Sequence, residues 1–320
     1  MRPSHLISIR RLACAVALLA CVIPGISHAT DDYAKTQFPI VLVHGFIGSA
    51  KLGGAVDYWY GIPADLRAHG ATVYSADVSS FNDSTVRGEQ LLQQVRALLV
   101  QTGAKKVNLI GHSQGGPTAR YVAAVAPELV ASVTTIASPH KGMVLADLFD
   151  KTPALLRGTV QAAANALGWL FGFLNGHNNA QNAAGVFHEF TTAGAEAFNK
   201  RFPSAGIPAN CSANGAPVDV IDGYTQRLYS WTGQGNFTNV FDPSSWVLGL
   251  TGALAKSAGE TSNDGLISVC SSRYGQVIST SYNWNHMNEV NQFFGLRAPS
   301  AEDPVAVIRI HANRLKAAGL

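Results

Sequence analysis

One stretch constrains the fold more than any other: Val107-Asn-Leu-Ile-Gly-His-Ser-Gln-Gly-Gly116. An apolar run of strand formers leads into Gly-x-Ser-x-Gly and then into the helix-like Pro117-Thr-Ala-Arg-Tyr-Val-Ala-Ala-Val125. That order, strand then sharp turn then helix, is the pattern of a nucleophile elbow. It would expose the Ser113 hydroxyl at the edge of a sheet, and Gly111 and Gly115 would let strand and helix approach closely. The helix N-terminus behind Ser113 favours negative charge, which an acyl-transfer transition state develops. A glycine-rich turn with an exposed serine has the same letters. The flanking strand and helix patterns are what favour the elbow.

The rest of the chain alternates in the same way. Strand candidates come at Ile40–Val43, Ala71–Ala76, Val107–Ile110, Val133–Ala137, Leu228–Trp231 and Val277–Thr280. Helical patterns fall at Trp59–His69, Gly88–Gln101 and Pro117–Ala126, and Pro304–Ala318 reads as a final amphipathic helix. Strands alternating with helices predict an α/β protein with a mainly parallel sheet covered on both faces. No internal repeat or linker divides it, so residues 30–320 read as one domain. Residues 232–264, rich in Gly, Ser, Thr and Asn, read as a loop excursion carrying functional side chains.

The N-terminus is set apart from this pattern. Arg2, Arg10 and Arg11 precede the apolar run Leu12–Ile23, and Ser27-His28-Ala29 supplies small residues for cleavage. Residues 1–29 therefore read as a secretory signal peptide, and the run falls short of the roughly 20 residues a membrane span needs. Its loss removes three Arg and no acidic residue, leaving 20 basic against 20 acidic side chains. A nucleic-acid partner then has no electrostatic support. Cys211 and Cys270 are the pair left in an exported chain, so a disulfide between them is expected.

A serine hydroxyl needs a base. Eight histidines lie beyond residue 29. His44 precedes Gly45-Phe46-Ile47-Gly48 directly after the first apolar strand, where an oxyanion loop would stand. His112 adjoins Ser113, but successive side chains diverge. His69, His140, His177, His188 and His311 carry no supporting motif and read as surface or structural residues. His286, in Asn-Trp-Asn-His-Met-Asn-Glu-Val, follows the last strand candidate and suits the order Ser…Asp…His. Asp264, in Ser-Asn-Asp-Gly-Leu, is a candidate acid, with Asp219, Asp222 and Asp242 as rivals.

These pieces in sequence resemble the secreted true lipases of Pseudomonas and Burkholderia, bacterial lipase family I. The matching blocks are Phe38-Pro-Ile-Val-Leu-Val-His-Gly45, Asp57-Tyr-Trp-Tyr-Gly-Ile-Pro63, Val86-Arg-Gly-Glu-Gln-Leu-Leu92 and Lys106-Val-Asn-Leu-Ile-Gly-His-Ser-Gln-Gly-Gly116. Arg120-Tyr-Val-Ala-Ala-Val125, Asn263-Asp-Gly265, Asn285-His286 and His311-Ala-Asn-Arg-Leu-Lys316 follow, so that the match spans nearly all of residues 37–320. The resemblance implies the α/β-hydrolase fold with a helical lid at about residues 150–200. It implies a Ser113–His286–Asp264 triad, an oxyanion hole from the backbone N–H groups of Phe46 and Gln114, and the Cys211–Cys270 disulfide. The implied activity is a secreted triacylglycerol lipase acting at an oil–water interface. An esterase for polyester or short-chain esters is the alternative, and a silent binding protein on the same fold is a third reading.

Three further expectations come from the same resemblance. A periplasmic lipase-specific foldase is implied as a partner. A structural calcium ion is implied, held by the side chains of Asp242 and residue 288 and the backbone oxygens of Gln292 and Leu296. The family has aspartate at 288 and this chain has Asn288, so one negative charge is lost and weaker binding is expected. In the lid region Leu156, Val160, Ala163, Leu167, Leu170 and Leu174 recur at spacings of three and four, one helix face. A buried core helix would show the same spacing; its position is where the family places its mobile lid.

Overall fold

The β-branched run Ile40–Val43 (β1) is wholly buried, as a strand covered on both faces must be. The computed structural model describes residues 31–46, 48–52, 55–151 and 187–320. After β1 the strands are β2 (Lys51–Leu52), β3 (Val56–Asp57), β4 (Val73–Ala76), β5 (Val107–His112), β6 (Val130–Ile136), β7 (Val218–Ile221), β8 (Tyr224–Gly233) and β9 (Gln276–Tyr282). The helices are α1 (Ile62–Ala68), α2 (Ser84–Thr102), α3 (Gly115–Val125), α4 (Val144–Lys151), α5 (Thr192–Arg201), α6 (Pro243–Ser257), α7 (Val269–Ser272) and α8 (Pro304–Ala317).

The main sheet runs β4-β1-β5-β6-β8, all parallel. At its far edge the start of β8 pairs antiparallel with β7 and its end pairs parallel with β9. Successive strand residues point to opposite faces, and two apolar cores result. Val41, Val43 and Leu109 face Leu91, Leu92 and Val95 of α2 and Val122 of α3. Ile40, Leu42 and Ile110 share the other core with Ile62 and Leu66 of α1 and Ile308 of α8. The chain goes from β1 outward to β4, then returns to place β5 on the other side of β1. That reversal opens a crevice at the carboxyl ends of β1 and β5, the place where such sheets bind ligands.

Every strand expected from the sequence is present in some form, and two features differ. Residues 232–264 are not an open loop, because they contain the 15-residue helix α6. Asp242 caps it by accepting from Ser244 N at 2.9 Å, and Pro243 starts it. The helix buries Val247, Leu248, Thr251, Gly252 and Ala255. Gly252 disguised it in sequence: a side chain there would meet the Asn236 side chain at 2.6 Å, so close packing requires glycine. The second difference is the hairpin β7–β8. Its turn, Asp222-Gly223, has φ of 51° and 82°, the pair of positive values that a tight hairpin of this kind needs.

The apolar stripe from Leu156 to Leu174 and the N-terminal residues 1–29 lie outside the described residues. Of the expected lid region, α5 is described; Thr191 caps it through Gly194 N at 3.0 Å, and Ala195 and Phe198 are buried. Among the described residues no helix is long and apolar enough to cross a membrane.

Candidate active site

Ser113 directly follows β5 and holds φ at 55°, in the left-handed region that a side chain seldom adopts. The turn is over-determined. Ser113 N donates to Ile136 O at 2.8 Å and Gly116 N donates to Ser113 O at 3.0 Å. A side chain at Gly115 would meet Val43 O at 2.2 Å, so only glycine lets α3 start this close to β1.

His286 sits on the loop after β9, and Asp264 on the loop after α6. His286 Nδ1 lies 2.7 Å from Asp264 Oδ2, and His286 N donates to Asp264 O at 2.9 Å. The other carboxylate oxygen accepts from Leu266 N at 2.9 Å and Ile267 N at 2.7 Å. One oxygen thus shapes the acid's own loop while the second meets the imidazole. A carboxylate at Nδ1 places the ring proton there and leaves Nε2 as the acceptor. The rival acids are engaged elsewhere: Asp219 accepts from Ser204 and Ala205, Asp222 forms the hairpin turn, and Asp242 caps α6.

The loop after β1 is pinned by Arg87 of α2. This buried guanidinium donates to His44 O at 2.6 Å, Gly45 O at 3.3 Å and Ser79 O at 2.7 Å. Burial lowers its pKa to about 10, so it remains charged. His44 is neutral, its pKa lowered to about 3 by burial first and by Arg87 second. Its Nδ1–H donates to Gly45 O at 2.9 Å, and its Nε2 accepts from Val78 N at 3.2 Å. The sequence predicts an oxyanion loop at this place, but the clamping role of Arg87 depends on contacts with residues distant in the chain. Phe46 meets Phe81, Phe187 and Phe190 edge to face, with ring centroids 5.2, 5.8 and 5.6 Å away. Gln114 is the N-cap of α3, and its Nε2 donates to Asn82 O at 2.8 Å.

Ser113, His286 and Phe46 line one open cavity. Its other walls include Leu52, Met143, Phe190, Leu266 and Ile267, so the surroundings of the hydroxyl and the imidazole are almost entirely apolar. Residues 39–289 match the family described as alpha/beta hydrolase fold. The chain belongs to the α/β-hydrolase family. A triacylglycerol lipase of Burkholderia plantarii is 47% identical over 98% of this chain and 95% of its own length. A triacylglycerol lipase of Vibrio cholerae is 44% identical over 92% of this chain and 93% of its own. Among solved structures, a Bacillus licheniformis lipase in its mature form superposes with a TM-score of 0.60 at 20% identity, covering 89% of this chain and 94% of that one.

This α/β-hydrolase carries two buried neighbours of the dyad that its motifs do not reveal. His112 packs its ring against His286 and meets Tyr58 Oη at 2.7 Å through Nδ1. Glu289 accepts from Gly233 N at 2.5 Å, while its Oε2 has no partner among the described residues. Burial first, and the charge of Asp264 second, raise the Glu289 carboxyl well above the ordinary range. Only the run of polar residues around His286 could have drawn attention to it. His140 and His311 are buried, bonded to Thr135 and Thr134.

The residues expected around calcium do come together in the hydrolase, but not as a cation's ligands. A divalent ion needs oxygens pointing inward. Asn288 instead directs its NH₂ group at Asp242 Oδ2 (3.3 Å) and at Leu296 O (2.9 Å). Its own Oδ1 is bound by Thr238 Oγ1 at 2.7 Å and Asn285 N at 3.2 Å. Asp242 also accepts from Ser244, Ser245 and the Asn285 amide. The Gln292 backbone oxygen, also expected as a ligand, accepts from Gly295 N at 3.3 Å. This donor-filled arrangement does not fit the ion. Cys211 and Cys270 form a disulfide, which ties the α7 turn to the loop before β7.

Proposed function

We propose that the chain hydrolyses carboxylic esters of lipids, triacylglycerol foremost, through an acyl-enzyme. The observation that carries this reading is the apolar cavity shared by Ser113 and His286. A cavity walled by Phe46, Met143, Phe190, Leu266 and Ile267 suits an acyl chain, and its burial there is favoured at about 25 cal/mol per Å² of apolar surface. A sugar or peptide would leave polar groups unpaired against the same walls.

The chemistry follows from the placement. Ser113 Oγ attacks the ester carbonyl carbon while His286 Nε2 takes its proton. Asp264 Oδ2, 2.7 Å from Nδ1, stabilises the imidazolium that forms. The carbonyl oxygen becomes an oxyanion beside the backbone N–H groups of Phe46 and Gln114, the latter at the positive end of α3. His286 returns the proton to the leaving alcohol, and the acyl group stays on Ser113. Water activated by His286 then releases the fatty acid and regenerates the hydroxyl.

The deciding experiment compares hydrolysis of an emulsified long-chain triglyceride with that of a soluble short-chain ester. Turnover of the emulsion supports the lipase reading. Turnover of the short ester alone would point to an esterase of small or polymeric substrates. The leader-like residues 1–29 and the resemblance support secretion as part of the same proposal, tested by N-terminal sequencing of the exported protein. The resemblance also supports a periplasmic foldase, tested by the yield of active protein with and without a co-expressed foldase from a relative.

A further inference from the structure

In this chain, we propose, the side-chain amide of Asn288 takes the place of a structural cation, tying the histidine loop to the start of α6 and making the fold indifferent to calcium. Asn288 lies two residues after His286, and Asp242 is the N-cap of α6. Both are buried. The strength of this junction therefore bears directly on where the base stands.

The orientation of the amide is dictated by its partners. The Asn285 backbone N–H can only donate, so it must face the oxygen of Asn288. The Asp242 carboxylate and the Leu296 carbonyl can only accept, so they must face the nitrogen. Flipping the amide would set donor against donor and acceptor against acceptor. The NH₂ group therefore bridges the two oxygens that a cation would otherwise join.

Charge leads to the same conclusion. An aspartate at 288 would set a second carboxylate against Asp242 and the Leu296 carbonyl in a buried space, and such a set needs a cation. Asparagine replaces one negative acceptor with a neutral group that donates. The remaining carboxylate is already solvated by protein donors: Ser244 N at 2.9 Å, Ser244 Oγ at 2.7 and 2.8 Å, Ser245 Oγ at 3.1 Å and Asn285 Nδ2 at 3.0 Å. A parallel link without metal lies alongside, where Asn239 Nδ2 donates to Arg297 O at 2.8 Å. Two side-chain amides thus join the loop before α6 to the loop after His286.

The test is thermal unfolding of the full chain in chelator and in calcium chloride, for the natural protein, Asn288→Ala and Asn288→Asp. The natural protein should melt at the same temperature in both. Asn288→Ala should melt lower by roughly 3 °C or more in both, because buried acceptors lose their donor. Asn288→Asp should melt lower than the natural protein in chelator and recover in calcium, since it restores the second carboxylate. The readout is stability, so its outcome is independent of whether the substrate assignment holds. A calcium-dependent rise in the natural protein would overturn the proposal. So would an Asn288→Ala protein as stable as the natural one. If the alanine variant does not fold, Asn288→Asp carries the test alone: a melt unaffected by calcium overturns it.

Discussion

The ring of His112 packs on the ring of His286, their centroids 4.5 Å apart and the planes inclined at 43°. Adjacent in sequence to Ser113, His112 cannot serve the nucleophile directly, and it supports the base instead. Burial first, and the nearby His286 second, hold it well below its ordinary pKa, so it presents a neutral face. Its far side is held by the Tyr58 hydroxyl at 2.7 Å. His112→Ala removes that packing and one hydrogen bond of the buried Tyr58 hydroxyl. Turnover of a soluble ester should fall by roughly 10–100-fold, the equivalent of one lost buried contact. His286→Ala should cost far more, and steady-state kinetics on the two variants separates a support from the base itself.

Ser113→Ala should abolish turnover, by at least roughly 10³-fold, with the fold intact. Alanine keeps the strain at φ 55°, whereas glycine relieves it. Ser113→Gly should therefore be as inactive as Ser113→Ala but more stable by about 1 kcal/mol. Chemical denaturation of the two inactive proteins checks the order. An alanine variant as stable as the glycine variant would mean that the turn stores no strain.

Glu289 makes stability depend on pH in a stated direction. Its carboxyl is raised well above the ordinary value, by burial first and Asp264 second. The stability it contributes is complete below its unfolded pKa, and is lost as pH rises toward the folded pKa. The loss can reach about 1.4 kcal/mol per pH unit across that window. Glu289→Gln is neutral at every pH and can still accept from Gly233 N. The melting temperature of Glu289→Gln minus that of the natural protein should grow between pH 5 and pH 8. A difference that stays flat would show that Glu289 ionises as readily in the folded chain as in the unfolded one.

The disulfide joins residues 59 apart in sequence. Closing a loop of that size restrains the unfolded chain, and replacing both cysteines by serine should lower stability by roughly 2–4 kcal/mol. The contacts of Asp264 with His286, Leu266 and Ile267 do not pass through the bridge. The folded fraction of the Cys211→Ser/Cys270→Ser protein should therefore keep its turnover. Activity measured against denaturant should shift its midpoint without losing its starting value.

By itself the sequence determined whatever is periodic or local. Runs such as Ile40–Val43 and Val107–Ile110 show their burial in their composition. The elbow at Ser113 is legible because strand, glycines and helix are contiguous, and adjacent residues need no long-range contact to define a turn. Tertiary structure decided the pairings between distant segments. On the residues alone Asp264 had three rival aspartates; the resemblance points to it, and the fold sets it 2.7 Å from His286. Helix α6 was hidden because Gly252 answers to the Asn236 side chain and to nothing nearby in sequence. Arg87, His112 and Glu289 gained their roles from burial beside groups tens of residues away. At position 288 the sequence shows only that a charge is missing. Which way the amide points is set by the donors and acceptors that the fold brings around it: Asp242 and Leu296 on one side, Thr238 and Asn285 on the other.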